Sequence, residues 1–138
     1  MTHQLIIIGA GPGGYEVGVK AAKAGLQVLV VEARKLGGTC LNEGCIPTKC
    51  LCKNASLLQE LKEANAFGIE AGEVQFDLSK AIARKDGIVE QLASGIATLM
   101  KTPGITLVQG KAKFVDQHTI EVEGTQYSAP NIIIATGS

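Results

Sequence analysis

The chain has 138 residues, 46% hydrophobic and 19% charged, enough for one domain with a sizeable core. Thirteen basic residues balance thirteen acidic ones with no basic run, which excludes nucleic acid and anionic membrane surfaces as expected partners. Aromatic residues, at 4%, leave no platform on which single strands could stack.

Met1-Thr2-His3-Gln4 leads straight into a strand, without the charged and apolar regions or cleavage site of a signal peptide. No apolar run reaches a membrane span, so a cytoplasmic protein with no membrane partner is expected. In that compartment four cysteines point to redox chemistry or metal before structural bridges. Residues 5–8 (LIII) are a short continuous apolar run, suited to a buried parallel strand. Gly9-Ala10-Gly11-Pro12-Gly13-Gly14 follows at once, and residues 15–24 read as a helix with Gly18, Ala21 and Ala22 on the face that approaches the sheet. Gly25 reads as its stop and residues 27–31 as a second buried strand. Glu32 ends that strand, 18 positions after Gly14. Strand, G-x-G-x-x-G, helix and acid together form a dinucleotide-binding fingerprint. Gly9 allows the tight turn, Gly11 lets backbone approach a pyrophosphate, and Gly14 lets helix and strand pack closely. The helix N-terminus donates N–H groups to phosphate, and Glu32 can accept hydrogen bonds from a ribose. The fingerprint does not separate FAD from NAD.

Residues 35–61, KLGGTCLNEGCIPTKCLCKNASLLQEL, place Cys40 and Cys45 in a glycine-bearing loop that runs into a helix over 47–63. In an unbroken helix an i, i+5 pair sits roughly 8 Å apart at Cα, and a disulfide needs about 7 Å or less. If these two pair, the backbone between them must leave the helical path, which Gly44 permits. Pro47 is tolerated only in the first turn, so the pair would stand at the helix entrance. There the positive end of the macrodipole favours a thiolate, and Lys49 adds charge one turn further on. Leu51, Ala55, Leu58 and Leu61 make the apolar stripe of this helix. Cys50 and Cys52 point about 200° apart on a helix and cannot bridge, and they read as small buried fillers. The cysteine gaps contain no C-x-x-C and neither histidine is near, so no metal site is expected.

Residues 65–75 read as a loop with a short extended piece. Asp77 is expected to cap a helix reaching about Lys101, with Leu78, Ile82, Val89, Leu92, Ile96 and Leu99 along one stripe. Gly87 and Gly95 on it mark close contact with a neighbouring helix. Segments 105–109, 111–115 and 119–123 alternate in polarity and read as a small antiparallel meander. Residues 132–135 are a last buried strand, ending in Thr136-Gly137-Ser138. His118 reads as a turn residue.

The run Gly37-Gly38-Thr39-Cys40-Leu41-Asn42-Glu43-Gly44-Cys45-Ile46-Pro47-Thr48-Lys49 resembles the redox-active signature of the class I flavin disulfide reductases. Leu41 with Ile46-Pro47-Thr48-Lys49 is closer to the dihydrolipoamide dehydrogenases than to glutathione or mercuric reductases. The resemblance covers the whole chain in order. It implies an α/β fold, a Rossmann-like FAD-binding domain with a parallel sheet, long helices and a small antiparallel meander. It further implies that residues 1–138 are the first segment of that domain, with nicotinamide and dimer-interface domains absent, and that the chain alone does not turn over. By the same resemblance Gly9, Gly11, Gly13 and Gly14 hold the FAD pyrophosphate, Glu32 the adenosine ribose, and Gly38 and Thr39 the flavin side. Ala112 clasps the adenine through its backbone, and Thr136 and Gly137 make a second turn beside the FAD. Cys40 and Cys45 form the redox disulfide, with Cys45 as flavin-proximal thiolate in charge-transfer contact, Cys40 as interchange thiol and Lys49 beside flavin N5. Electrons would pass between dihydrolipoamide, or another dithiol or disulfide substrate, and NAD, in a parent that is a homodimer.

One residue departs from the family pattern. Relatives commonly carry an aliphatic residue where Glu43 stands, and a carboxylate between the cysteines opposes thiolate formation. Glu43→Val is expected to lower the pKa of the interchange thiol, checked by thiol titration. Two other readings remain at this point: a related reductase acting on another disulfide or on mercuric ion, and a non-catalytic dinucleotide-binding module with incidental cysteines.

Overall fold

The computed structural model describes residues 3–138; Met1 and Thr2, the start of the N-terminal tetrapeptide, lie outside the described residues. In chain order the elements are β1 (Leu5–Ile8), α1 (Pro12–Lys23), β2 (Val28–Glu32), α2 (Gly38–Asn42) and α3 (Cys45–Glu63). A single 3-10 turn (Ala64–Phe67) leads on to α4 (Leu78–Leu99). Then come β3 (Ile105–Gln109), β4 (Ala112–Phe114), β5 (Thr119–Val122), β6 (Thr125–Ser128) and β7 (Asn131–Ile134).

Four strands form a parallel sheet in the order β3-β2-β1-β7. Its rows are in register across the whole sheet: Leu107, Val30, Ile7 and Ile133 make one, and Val108, Val31, Ile8 and Ile134 the next. The central strands are apolar without alternation because both faces are covered. Leu5, Ile7, Val28 and Val30 pack on one face with Val19 and Ala22 of α1 and with Met100 at the end of α4. Ile6, Leu29 and Val31 pack on the other face with Ile120, Val122 and Ala129 of the small antiparallel layer. Ile6, Ile7, Leu29 and Ile120 are among the largest fully buried side chains, and each contributes roughly 1.5–3 kcal/mol through its burial. The molecule is thus helix, parallel sheet and antiparallel sheet in three layers.

Several expectations are corrected. Segment 105–109 is not part of the meander: it joins β2 in parallel as an edge of the main sheet. Thr106 and Gln109 interrupt the apolar residues of this half-exposed edge strand as they would in a meander strand, so polarity alone does not separate the two. The meander consists instead of β4, β5 and β6, in that order. The unforeseen β6 is a polar four-residue strand, joined to β5 by Glu123 and Gly124, both at positive φ (47° and 80°), as a two-residue hairpin turn requires.

The helical layer differs in detail as well. α1 starts at Pro12, its first residue. The disulfide segment is not one loop, because residues 38–42 already form the short α2. Asp77 does cap α4, its Oδ1 accepting the N–H groups of Ser79 (2.9 Å) and Lys80 (3.2 Å). α3 and α4 pack on each other, yet much of their apolar stripe stays open, with Leu51, Leu78, Leu92 and Leu99 exposed. A Cβ at Gly87 or Gly95 would meet nothing within 4 Å, so neither glycine marks a close helix contact among the described residues. Cys50 is buried as expected, but Cys52 is exposed. Two helical residues apart, they cannot both face the core.

Candidate active site

β2 leaves β1 on one side and β7 flanks it on the other, so the loops after β1, β2 and β7 open into the crevice where an α/β sheet takes its ligand. The turn after β1 is tight. Gly9 has φ 105°, and a Cβ there would stand 2.1 Å from Ala135 O. A Cβ on Gly14 would stand 1.8 Å from Gly9 O, so helix and strand touch through bare backbone. Gly11 is the N-cap of α1 and offers no side-chain cap, Pro12 has no N–H, and the first turn has no acid. The positive end of a twelve-residue helix is therefore left open to an anion, in the geometry that suits a pyrophosphate. A Cβ at Gly13 would come 3.9 Å from Ala135 Cβ.

Glu32 closes the adjacent side. Its Oε2 accepts the Ala10 N–H at 2.7 Å and its Oε1 the Arg34 N–H at 2.8 Å, which fixes the carboxylate beside the glycine turn with lone pairs to spare. Gly110 N–H donates to Glu32 O at 2.8 Å, so Ala112, two residues on and half-buried at the start of β4, begins the antiparallel layer next to this corner. Ala135 N–H donates to Ile8 O at 2.8 Å, and the Thr136 nitrogen lies 3.2 Å from where a Gly9 Cβ would be. Thr136 thus lies against the glycine turn, with Gly137 (φ 76°) following it.

The disulfide segment is fastened to this cradle. Gly37 N–H donates to Ala10 O at 2.9 Å. A Cβ on Gly38 would meet Gly11 Cα at 3.0 Å and Pro12 Cδ at 3.1 Å, so the two glycine loops lie against each other. Asn42 Nδ2 donates to the Leu36 and Gly38 carbonyls, both at 2.9 Å, and folds α2 back on its own entrance. Glu43 N–H donates to Thr39 O at 2.8 Å. Gly44, at φ −122° and ψ −105°, then takes the chain off the helical path. Cys40 and Cys45 come within 4.6 Å at Cα and are joined by a disulfide. Cys45 is the first residue of α3, whose first turn carries no acid, and Lys49 follows four residues later on the same side. Cys40, Cys45, Thr39 and Lys49 are all exposed.

Sequence reasoning missed Arg34. Its guanidinium Nη2 donates to Glu43 Oε1 at 2.7 Å, and its carbonyl accepts Gln109 Nε2–H at 2.8 Å. An ion pair between residues nine apart, on neither a helix face nor a strand face, leaves no periodic trace in the sequence. The departure residue Glu43 is therefore not a lone charge in the disulfide loop.

The sequence profile described as pyridine nucleotide-disulphide oxidoreductase matches residues 3–138. The chain belongs to this family. Among its relatives, the dihydrolipoyl dehydrogenase of Thermus scotoductus is 47% identical over 137 residues, covering 99% of this chain and 30% of the relative. That of Bacillus subtilis is 46% identical over 140 residues, covering 97% of this chain and 31% of its own length. The chain therefore spans about a third of these relatives. The HOCl-induced flavoprotein disulfide reductase RclA from Escherichia coli superposes with a TM-score of 0.81 at 32% identity, over 98% of this chain and 28% of that one.

Proposed function

We propose that the chain is the FAD-binding and redox-disulfide part of a dihydrolipoamide dehydrogenase, which oxidises a dithiol with NAD. The observation that carries this reading is the Cys40–Cys45 disulfide at the start of α3, lying against the phosphate-binding glycines through the Gly11–Gly38 contact. The residues fit FAD: Gly9, Gly11, Gly13 and Gly14 would hold its pyrophosphate, Glu32 its ribose, Ala112 its adenine, and Gly38, Thr39 and Lys49 its flavin side, with Thr136 and Gly137 making a second turn beside it. When bound, FAD supplies two-electron transfer between the reduced cysteine pair and the nicotinamide cofactor.

The chain's own chemistry is thiol–disulfide exchange. A substrate thiolate attacks Cys40 Sγ, the Cys40–Cys45 bond breaks, and Cys45 leaves as a thiolate. The helix N-terminus stabilises that leaving thiolate by about 0.3–1 kcal/mol, up to ~2 where it is partly buried. The second substrate thiolate attacks the substrate sulfur of the mixed disulfide and releases Cys40. The substrate ends as a disulfide, the cysteine pair holds both electrons, and the two substrate thiol protons are given up. Kinship with the dihydrolipoyl dehydrogenases supports dihydrolipoamide as the dithiol, and a homodimer is the full assembly we propose. Likeness to a flavoprotein disulfide reductase supports a second reading in the same chemistry, with another disulfide as substrate.

The test is peptide mapping of the oxidised chain together with titration of FAD fluorescence. A linked Cys40–Cys45 peptide, and FAD affinity that Gly11→Ala abolishes, are expected. Free thiols at both positions under oxidising conditions would overturn the reading.

A further inference from the structure

Glu43 is two residues from Cys45 and three from Cys40, so its Cα lies within ~7 Å and ~11 Å of theirs even at full extension. A bare carboxylate at that range raises the pKa of a thiol, because the thiolate meets a like charge. The loop has an answer to this charge. Arg34 Nη2 stands 2.7 Å from Glu43 Oε1, and the Arg34 backbone is fixed at both ends, its N–H by Glu32 Oε1 (2.8 Å) and its carbonyl by Gln109 Nε2 (2.8 Å). An arginine anchored to the ends of β2 and β3 thus reaches across to the residue between the cysteines.

We propose that Arg34 is a positioning residue of the redox centre: it holds Glu43 in an ion pair that cancels the carboxylate's charge at the reduced Cys40–Cys45 pair and draws the loop toward the nucleotide side. The ion pair lies on the surface, 76% and 53% exposed at its two side chains, so its effect on folding is small. Its effect is read instead at the neighbouring thiolate, which a like charge nearby disfavours. Among the described residues no other cation pairs with Glu43. Lys35 and Lys49 are cations on the same segment, and both are exposed. α4, which packs on α2 and α3, carries Lys80 paired with Asp77, Lys85 paired with Asp86, and Arg84 and Glu90, both exposed.

The inference rests on the proposed redox role of the two cysteines, and its test separates the two. The chain is reduced with excess dithiothreitol, freed of it, and alkylated with iodoacetamide across a pH series. Tandem mass spectrometry then reads the tryptic peptide 36–49, which holds Cys40 and Cys45 and excludes Cys50 and Cys52. Arg34→Gln is expected to shift the Cys40 profile to higher pH and to slow its alkylation near neutrality about two- to threefold, as the thiolate fraction falls. Arg34→Lys keeps the charge and is expected to retain most of the native profile. In the Glu43→Gln background, Arg34→Gln is expected to have less than half that effect, and 1 M salt, with its Debye length of about 3 Å, to erase the difference. An unchanged profile in Arg34→Gln, or an equal shift with and without Glu43, overturns the inference. A missing Cys40–Cys45 linkage in the oxidised protein instead overturns the redox reading beneath it.

Discussion

Gly11 and Gly14 lie three residues apart in one turn, and alanine at the two positions is expected to do different things. At Gly14 the new Cβ would fall 1.8 Å from Gly9 O and 3.3 Å from Ile7 Cγ2, so strand and helix must separate. Gly14→Ala should cost about 3 kcal/mol, in the upper range of overpacking, read as a lower urea midpoint at unchanged slope. At Gly11 the Cβ would reach only 3.5 Å from Gly38 Cα, an ordinary contact, and φ is −77°. Gly11→Ala should leave the midpoint within about 0.5 kcal/mol, the usual range for harmless surface changes, while removing FAD binding. Residues of this kind were legible in the sequence because each works within a contiguous motif. The Cys40–Cys45 pair was legible through the motif's family resemblance, and Gly44 permits the departure from the helix that the pairing needs. Arg34 and the outward turn of Cys52 were not, because both depend on where a neighbouring segment lies in space. The pairing of Glu43 with Arg34 also shrinks the effect expected of Glu43→Val, which now removes a charge already partnered.

Elements were legible where one residue type marks a boundary. Asp77 is such a marker, and its two backbone hydrogen bonds make Asp77→Ala a clean probe: a loss of about 1 kcal/mol in denaturant unfolding is expected. The glycines inside α4 make the opposite prediction. A Cβ at Gly87 or Gly95 meets nothing within 4 Å, so each change to alanine should raise stability by roughly 0.5–1 kcal/mol, measured the same way. A loss at either position would show that a further surface packs there. The assignment of β3 to a sheet was not legible. Its partner β2 precedes it by the whole of α2 to α4 in chain order, and a half-exposed edge strand interrupted by Thr106 and Gln109 reads like a meander strand. Likewise β6 offered only Thr-Gln-Tyr-Ser, with too little apolar character to announce a strand before its hairpin turn was seen.

At the scale of the whole molecule, two groups tie stability to pH. His3 is buried, its ring 6.3 Å from that of Tyr127, and burial holds its pKa below the ordinary 6.5. The unfolded chain therefore takes up a proton at His3 first as pH falls, and stability, full above pH 6.5, declines from there downward. Asp116 Oδ1 accepts the His118 N–H at 2.7 Å, which holds that carboxyl below its ordinary 3.8 and adds a second decline at lower pH. His3→Gln should flatten the dependence just below pH 6.5 and leave the steeper acid limb in place, seen in urea midpoints across a pH series. Persistence of the full slope in that variant would remove His3 from the account.

The sheet order carries one more consequence. β1 waits for β7, the seventh strand in chain order, to cover one of its sides, although β2 covers the other almost at once. A chain emerging from the ribosome therefore carries an open row of isoleucine backbone until residue 134 is free, and the pairing of β7 with β1 then completes the parallel sheet. Such long-range pairing is slow to form, so the middle of this parallel sheet is completed late in folding.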